Sequence, residues 1–228
     1  MVKIIGNPQK QNLSLKKIIL KAVIDNSYIL KKKDFRDEVL NHIEKSMTIL
    51  DIGKSMRGKF DLIDCKEKKT LDINIFDSYP DYQFDLSENY DLSKTDLNNK
   101  FDLIVCLAVL EHVYNPYQAI QNLKTMIKPN GILFGYVPFL YHYHAPKDLE
   151  FQDYFRFTKD SISYLLKDFK DVKLYPVRGR LSSSMHILFG SIWKKSFEKI
   201  YMNQLIDRFF SNKKNYSQCS GFNFIAYK

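Results

Sequence analysis

Apolar residues near the amino terminus recur three and four positions apart, the spacing of one face of a helix. Two sets show this spacing: Leu15, Ile18, Ile19, Ala22 and Val23, then Phe35, Val39, Leu40, Ile43 and Met47. Asp34 stands where a helix cap would precede the second set. The pattern predicts a helical amino-terminal segment over residues 1–46.

From residue 47 onward, short apolar runs alternate with further stretches of helical spacing. Strands are predicted at residues 47–52, 70–73, 101–107, 132–137, 172–177 and 222–227. Asn115 and Pro116 occupy the cap and first-turn positions of one helix, which the run Pro129-Asn130-Gly131 is expected to end, and Thr158 caps another. Such alternation is typical of a mostly parallel sheet covered on both faces.

The predicted sheet directs attention to one of its edges. Parallel α/β sheets bind their ligands beyond the carboxyl ends of the strands. The loops that follow Ile52, Ile73, Leu107 and Val137 are therefore where functional side chains are expected.

The composition is that of a folded globular protein. Of 228 residues, 45% are hydrophobic and 27% charged, which excludes collagen-like, coiled-coil and disordered classes. We expect one domain over residues 47–228, with a helical insert at about 181–211. The three cysteines are scattered without metal-ligand spacing, so neither a disulfide framework nor a metal site is predicted. A reducing, cytoplasmic setting is the simplest expectation, and no apolar run has the length of a membrane span.

The net charge of +9 is unevenly distributed. Residues 51–110 carry 8 basic and 12 acidic side chains, while both ends of the chain are basic. This leaves two interpretations: a solvated lysine-rich surface, or a basic rim that attracts an anionic substrate. Nucleic acid is not indicated as a partner, because the basic residues form no recognisable binding motif.

A tight turn follows the first predicted sheet strand. The run Asp51-Ile52-Gly53-Lys54-Ser55-Met56-Arg57-Gly58 half matches the dinucleotide pattern GxGxxG. Ser55 replaces the glycine that lets backbone approach a pyrophosphate. S-adenosylmethionine, which has no phosphate, suits this turn better, although a plain strand-turn-helix connection is also compatible with it.

Two further acidic residues follow at spacings typical of nucleoside sites. Asp72 lies 21 residues after Asp51 at a strand end, where a carboxylate can accept hydrogen bonds from both ribose hydroxyls. Asp85 could bind the edge of an adenine while Leu86 packs on its ring. Each could equally be a solvated loop residue.

The stretch from Phe101 to Phe139 carries the most specific pattern in the chain. It joins Leu110-Glu111-His112-Val113 to the Asn115-Pro116 helix start, the Lys-Pro-Asn-Gly turn and a strand ending in Val-Pro-Phe. With the later Asp-Tyr-Phe-Arg-Phe-Thr run at 153–158 and the final strand, this order resembles the class I S-adenosylmethionine-dependent methyltransferases, in particular the small type-11-like group.

The resemblance implies a Rossmann-like sheet of seven strands, mostly parallel with an antiparallel last strand and helices on both faces. It also implies S-adenosylmethionine as cofactor. Matched residue by residue, the implied cofactor contacts are Asp51, Gly53, Asp72, Asp85, Leu86 and Leu107. The family usually has more glycines in the turn after Asp51, so a noncatalytic scaffold of the same fold is the alternative.

Two histidines are candidates for removing a proton from a hydroxyl acceptor. We place this role at His144, with His112 as second choice, because both follow strands whose carboxyl ends should face the site. A neutral imidazole has a pKa suited to that task.

The neighbouring residues are candidates for acceptor binding. Tyr141, His142 and Tyr143 are expected to form part of the substrate floor. Arg156 either binds an acidic acceptor or ties the loop to a carboxylate such as Asp153.

The insert at about 181–211 mixes apolar and lysine residues, so it either packs on the protein as a lid or rests on an anionic membrane surface. The expected acceptor is small, with a sugar or sugar phosphate of surface-polysaccharide assembly as the specific hypothesis. The alternatives are RNA methylation and the noncatalytic scaffold.

Overall fold

The structure, a computed structural model, describes residues 23–24, 35–145, 151–197, 207 and 218–228. The strands are β1 (Val23–Ile24), β2 (Thr48–Ile52), β3 (Glu67–Asp72), β4 (Tyr82–Gln83), β5 (Phe101–Leu107), β6 (Ile127–Pro138), β7 (Asp171–Val177) and β8 (Gly221–Tyr227). The α-helices are α1 (Phe35–Asn41), α2 (Pro116–Met126), α3 (Lys159–Leu165) and α4 (Arg180–Phe197). Short 3₁₀ turns cover Arg57–Leu62, Leu92–Lys94 and Leu110–His112.

The described strands form one sheet in the order β1-β7-β8-β6-β5-β2-β3-β4. Strand β8 runs antiparallel to both of its neighbours, and every other described pairing is parallel. Strands β2 to β8 supply the seven strands that the family resemblance implies, including the antiparallel last one. Six of them match strands predicted from the sequence pattern, and β4 is the seventh. The mostly parallel α/β fold class is therefore confirmed, and β1 adds an eighth, two-residue strand at one edge.

Several element boundaries agree closely with the sequence pattern. Strand β5 has the predicted bounds. Asn115 caps α2 by accepting a hydrogen bond from the backbone N of Gln118 at 3.2 Å. Thr158 caps α3 in the same way through the N of Ser161 at 3.2 Å. These caps satisfy backbone donors that helix geometry leaves unpaired.

Two expectations need correction. Val23, assigned to a helix by its spacing, lies in β1, where a β-branched pair forms hydrogen bonds with the edge of β7. The Pro129-Asn130-Gly131 run does not end α2. The helix stops at Met126, and the run forms an irregularity within β6, with Asn130 at φ 64°.

Helices cover the sheet on both faces. Helices α2 and α3 contribute to one apolar core, in which Leu123 and Ile162 are fully buried. Helix α1 contributes Phe35 and Val39 to the core on the other face, with the Phe35 ring 5.7 Å from that of Phe134. Residues 1–22 and 25–34 lie outside the described residues, and the boundary of the amino-terminal segment at residue 46 stays a prediction.

Helix α4 coincides with the first part of the predicted insert, and most of residues 198–211 lie outside the described residues. Several apolar side chains on this helix are exposed, Leu188 most of all at 73%. The lid and membrane-surface interpretations both stay predictions. None of the described helices combines the length and hydropathy needed to cross a bilayer.

Close packing at the centre of the sheet requires a glycine in β6. Gly135 pairs with Phe224 of β8, whose ring is fully buried. A Cβ on residue 135 would lie 1.9 Å from Phe224 Cζ. The ring occupies the space that a side chain would need.

We therefore expect Gly135→Ala to lower the free energy of unfolding by about 1–3 kcal/mol, because overpacking a dense core forces side chains off their preferred rotamers. Gly58→Ala is the matched control, since a Cβ there would meet no atom within 4 Å. Urea denaturation measures both. Equal stability of Gly135→Ala and wild type would contradict the packing described here.

Candidate active site

A cavity of about 310 Å³ opens at the carboxyl ends of β2, β3 and β5. This is the edge at which the topology of a parallel sheet gathers functional loops. Among the sequence-predicted site residues, its lining includes Gly53, Asp72, Asp85, Leu86 and His112. Five candidates from four separate chain segments therefore share one cavity.

Gly53 makes the turn beneath the cavity possible. Its φ is +64°, in the left-handed region where glycine carries no Cβ penalty. A Cβ there would lie 3.2 Å from Val109 Cγ2. Its backbone N donates to the carbonyl of Leu71 at 2.9 Å, which ties the turn after β2 to β3.

Asp51 does not line the cavity, and Ser55 does not obstruct it. Both side chains are buried, and Ser55 Oγ donates to Asp51 Oδ1 at 2.6 Å. The backbone N of Met56 donates to the same carboxylate at 3.1–3.2 Å. Burial raises the pKa of Asp51 to about 6, although these hydrogen bonds oppose the shift. In this structure Asp51 therefore holds the turn from within.

Asp72 and Asp85 present carboxylates at the cavity wall. Asp72 Oδ2 accepts from the hydroxyl of Tyr79 at 2.9 Å, and Oδ1 accepts from the backbone N of Asn74 at 3.0 Å. Asp85 Oδ1 accepts from the backbone N of Ser87 at 2.8 Å. The two carboxylates are thus held in fixed positions, as a polar ligand site requires.

Leu107 is placed differently from the sequence expectation. It is buried in the core at the end of β5 and does not line the cavity. The next residue, Ala108, does line it and has φ 58°. Strand β5 ends at Leu107, so the chain turns toward the cavity only at Ala108, where the backbone becomes left-handed.

Beside the cavity, Glu111, His112 and His144 form a cluster that we call the EHH cluster. The Glu111 side chain is completely buried, and neither of its oxygens accepts a hydrogen bond from a described residue. Its Oε1 lies 3.5 Å from Nε2 of His144 and 3.9 Å from Nε2 of His112. The two imidazole rings lie 5.0 Å apart, edge to face.

The far side of each imidazole is held by oxygen acceptors. Nδ1 of His112 lies 2.9 Å from the carbonyl of Gln152. Nδ1 of His144 lies 3.1 Å from the carbonyl of His142 and 3.2 Å from Asp153 Oδ2. A carbonyl only accepts, so each Nδ1 carries a proton and each Nε2 faces Glu111. The Glu111 carboxylate is the main cause that raises the pKa of His144 above its ordinary value of 6.5, against partial burial.

Arg156 pairs with Asp153, the carboxylate that the sequence indicates as its possible partner. Its guanidinium pairs with both oxygens of Asp153, which lowers the pKa of that carboxyl to about 2. It also donates to the carbonyls of Tyr141 and His142 at 3.3 and 2.9 Å. Arg156 therefore ties the 141–144 loop to the 153–158 run.

The other predicted acceptor residues lie away from the cavity lining. Tyr141 stacks on His142 with ring centroids 4.4 Å apart. Tyr143 is 68% exposed. Of the predicted loop, His144 belongs to the EHH cluster, and the ring of Tyr141 packs edge to face against it with centroids 5.3 Å apart.

Sequence reasoning missed Glu111 and Asp153 as site residues. Glu111 was visible as an acid directly after the strongest strand, and Asp153 as the acid beside Arg156. It also missed Phe151 and Tyr154, which line the cavity next to His112. The segment that carries them docks on the turn after β5, because the backbone N of Tyr154 donates to the carbonyl of Glu111 at 2.8 Å.

A family model described as a methyltransferase domain matches residues 26–169, more than half of the chain. The chain therefore belongs to this methyltransferase family, which confirms the resemblance and the enzyme class expected from the sequence.

Curated relatives point to the same class. The chain is 31% identical over 112 residues to the ubiquinone biosynthesis O-methyltransferase of Rickettsia typhi, which covers 42% of this chain and 45% of the relative. It is 43% identical over 54 residues to the protein of the same name from Haemophilus ducreyi, 23% of each. The matches thus span less than half of these relatives.

Solved structures share the fold. A SAM-dependent methyltransferase from Archaeoglobus fulgidus superposes with a TM-score of 0.51 at 14% identity, covering 84% of this chain and 90% of the other. Phosphoethanolamine N-methyltransferase 2 of Haemonchus contortus, in complex with S-adenosyl-L-methionine, superposes with a TM-score of 0.50 at 12% identity. The match covers 85% of this chain and 51% of the other. The predicted cofactor, S-adenosylmethionine, agrees with the methyltransferase family to which the chain belongs.

The Asp51–Ser55 pair yields a pH-dependent prediction. Because the folded-state pKa of Asp51 lies above its unfolded value, this group destabilises the fold increasingly as pH rises from about 4 through about 6. Ser55→Ala removes the hydroxyl that donates a hydrogen bond to the ionised carboxylate of Asp51. We expect it to cost about 1–3 kcal/mol of unfolding free energy at pH 8 and clearly less at pH 5.

Ser93→Ala is the matched control, since Ser93 Oγ bonds to Asp91 in an exposed pair. We expect it to change stability little at either pH. A Ser55→Ala cost that does not grow between pH 5 and pH 8 in urea titrations would contradict the assignment.

Proposed function

We propose that the chain is an S-adenosylmethionine-dependent methyltransferase that acts on an oxygen of a small acceptor. The observation that supports this most is the cavity itself. It brings Gly53, Asp72, Asp85 and Leu86 together at the edge where β2, β3 and β5 end, directly beside the EHH cluster. The residues that we assign to the cofactor therefore line the same cavity as His112 of this cluster.

The residues at the cavity wall fit this cofactor. Gly53 keeps a Cβ out of the turn beneath it. Asp72 is positioned to accept from the ribose hydroxyls, in place of the Tyr79 hydroxyl that it now binds. Asp85 and Leu86 are assigned to the adenine. When bound, the cofactor supplies an activated methyl group, so the protein mainly needs to align the acceptor and to remove its proton.

Proton removal is assigned to the EHH cluster. His144 is our first choice and His112 the second, as candidates for taking the proton of a hydroxyl acceptor through Nε2. The pKa of His144 is raised by the Glu111 carboxylate, which strengthens the imidazole as a base. The Asp153 and Gln152 contacts keep both rings oriented.

The cavity lining favours an acceptor with a flat apolar body. Val113, Tyr114, Phe151 and Tyr154 line the part around His112. Aromatic side chains of this kind pack on planar apolar groups. The curated relatives reported above are named for ubiquinone biosynthesis and not for polysaccharide assembly. A panel of phenols and sugars with radiolabelled methyl donor distinguishes an aromatic acceptor from the sugar expected at first.

Asp72→Ala tests the cofactor site. Loss of a charge-assisted pair of hydrogen bonds should weaken S-adenosylmethionine binding by about 10- to 100-fold in isothermal titration. Asp64→Ala is the control, because Asp64 is an exposed acid paired with Lys45 outside the cavity. Unchanged affinity in folded Asp72→Ala would place the ribose elsewhere. No binding by wild type at millimolar ligand would favour the noncatalytic scaffold.

His144→Ala tests proton removal. We expect turnover to fall by about 100-fold or more while cofactor affinity stays nearly unchanged. Wild-type turnover should also decline as pH falls through a value above 6.5, because the protonated imidazole cannot accept a second proton. Near-normal turnover in the variant would make His144 a structural residue, and loss confined to His112→Ala would transfer the role.

A further inference from the structure

The carboxylate of Glu111 is held in surroundings that suit a cation. The side chain has no exposed surface, and both oxygens lack a hydrogen-bond donor among the described residues. Burying an ionised carboxylate without a donor or a counter-charge is strongly unfavourable. The nearest groups that face it are the Nε2 atoms of His112 and His144, at 3.9 and 3.5 Å from Oε1. The Arg156 guanidinium also attracts it electrostatically but donates no hydrogen bond to it, because it pairs with Asp153.

Both imidazoles are oriented as metal ligands usually are. In metal sites, the nitrogen that does not bind the ion donates to a carboxylate or a backbone carbonyl, which fixes the tautomer. Here Nδ1 of His112 has the carbonyl of Gln152, and Nδ1 of His144 has the carbonyl of His142 and the Asp153 carboxylate. Arg156 Nη2 also approaches Nδ1 of His144, but at 3.5 Å this is the longest of the three contacts. The two Nε2 lone pairs therefore point toward Glu111.

We propose that Glu111, His112 and His144 bind one divalent transition-metal ion at the wall of the cavity. One ligand atom from each residue lies within 4.8 Å of the other two. Around a tetrahedral ion with bonds of about 2 Å such atoms lie roughly 3–3.5 Å apart, so small side-chain adjustments complete the set. Two histidines and one carboxylate suit Zn²⁺, Fe²⁺ and Mn²⁺ better than Ca²⁺ or Mg²⁺.

Three protein ligands leave at least one coordination position open, which is the pattern of catalytic rather than structural sites. His112 lines the cavity, so that position is available to an acceptor. A divalent ion stabilises the deprotonated form of a bound hydroxyl. With the ion bound, Nε2 of His144 is occupied as a ligand, so the proton of the acceptor passes to solvent. The role of His144 as the base, assigned above, applies to the metal-free site. This use of the ion rests on the proposed function, whereas its binding does not.

Metal titration of the full chain tests the proposal. Protein stripped with chelator and desalted is titrated with ZnCl₂ and MnCl₂ in a calorimeter, without donor or acceptor, and Co²⁺ absorption reports the ligand geometry. We expect one site per chain. Glu111→Gln, which keeps the size of the side chain, should weaken it by at least about 100-fold, since even outer ligand partners cost 10- to 100-fold.

His144→Gln is the second variant and should lose the site to a similar extent. His42→Gln is the matched control, because His42 also lies near a glutamate, with Nδ1 3.9 Å from Glu38 Oε1, but outside the cluster. It should retain wild-type affinity, and circular dichroism checks that all variants are folded. Wild-type binding no tighter than that of folded Glu111→Gln would overturn the proposal, as would equal loss in His42→Gln. Failure of cofactor binding alone would instead count against the proposed function.

Discussion

The buried carboxylate of Glu111 is the constraint on which the proposed acceptor-binding part of the site, the EHH cluster and the segment from Phe151, depends. Its side chain lies beneath two imidazoles, and none of the described residues donates a hydrogen bond to it. Its backbone carbonyl accepts from the amides of Tyr154 and Phe155, so this one residue joins the turn after β5 to the segment that begins at Phe151. A buried negative charge persists only when a proton or cation compensates it, so the chemistry of this site follows from what occupies the space between Glu111 and the imidazoles.

The turn after β2, which lies on the proposed cofactor side of the cavity, is stabilised by a different interaction. The turn after β2 has few of the glycines usual in the family, yet it forms with positive φ at Gly53, Lys54 and Arg57. Ser55 is turned inward, where it satisfies Asp51. The hydroxyl and the buried acid thereby brace the turn from below, and the side facing the cavity stays open.

The sequence pattern was sufficient to predict those strands and helix caps that depend on neighbouring residues alone. Strand β5 is a continuous apolar run, and the Asn115 and Thr158 caps act on amides only three residues away. Gly53 and Asp72, which are predicted as cofactor contacts, both line the cavity, because the topology of a parallel sheet brings strand ends to one edge. The number of seven strands and the antiparallel direction of the last one followed from the family resemblance.

The positions of the other site residues could not be predicted, because they depend on tertiary contacts that a local sequence pattern does not contain. The residue at which the chain turns from a strand toward a cavity depends on the tertiary fold. The family resemblance implies a cofactor contact at Leu107, whereas the cavity is lined by Ala108. Glu111, His144 and Asp153 come from three loops, and only their packing reveals that they meet.

The proposed function and the proposed metal site require that the cavity and the EHH cluster form one active site. Paramagnetic relaxation of bound S-adenosylmethionine by Mn²⁺ measures this directly by nuclear magnetic resonance. We expect strong relaxation of the S-methyl protons, weaker relaxation of the adenine protons near Asp85, and loss of both effects in Glu111→Gln. Relaxation that is absent in wild type with both ligands bound, or that is unchanged in Glu111→Gln, would contradict it.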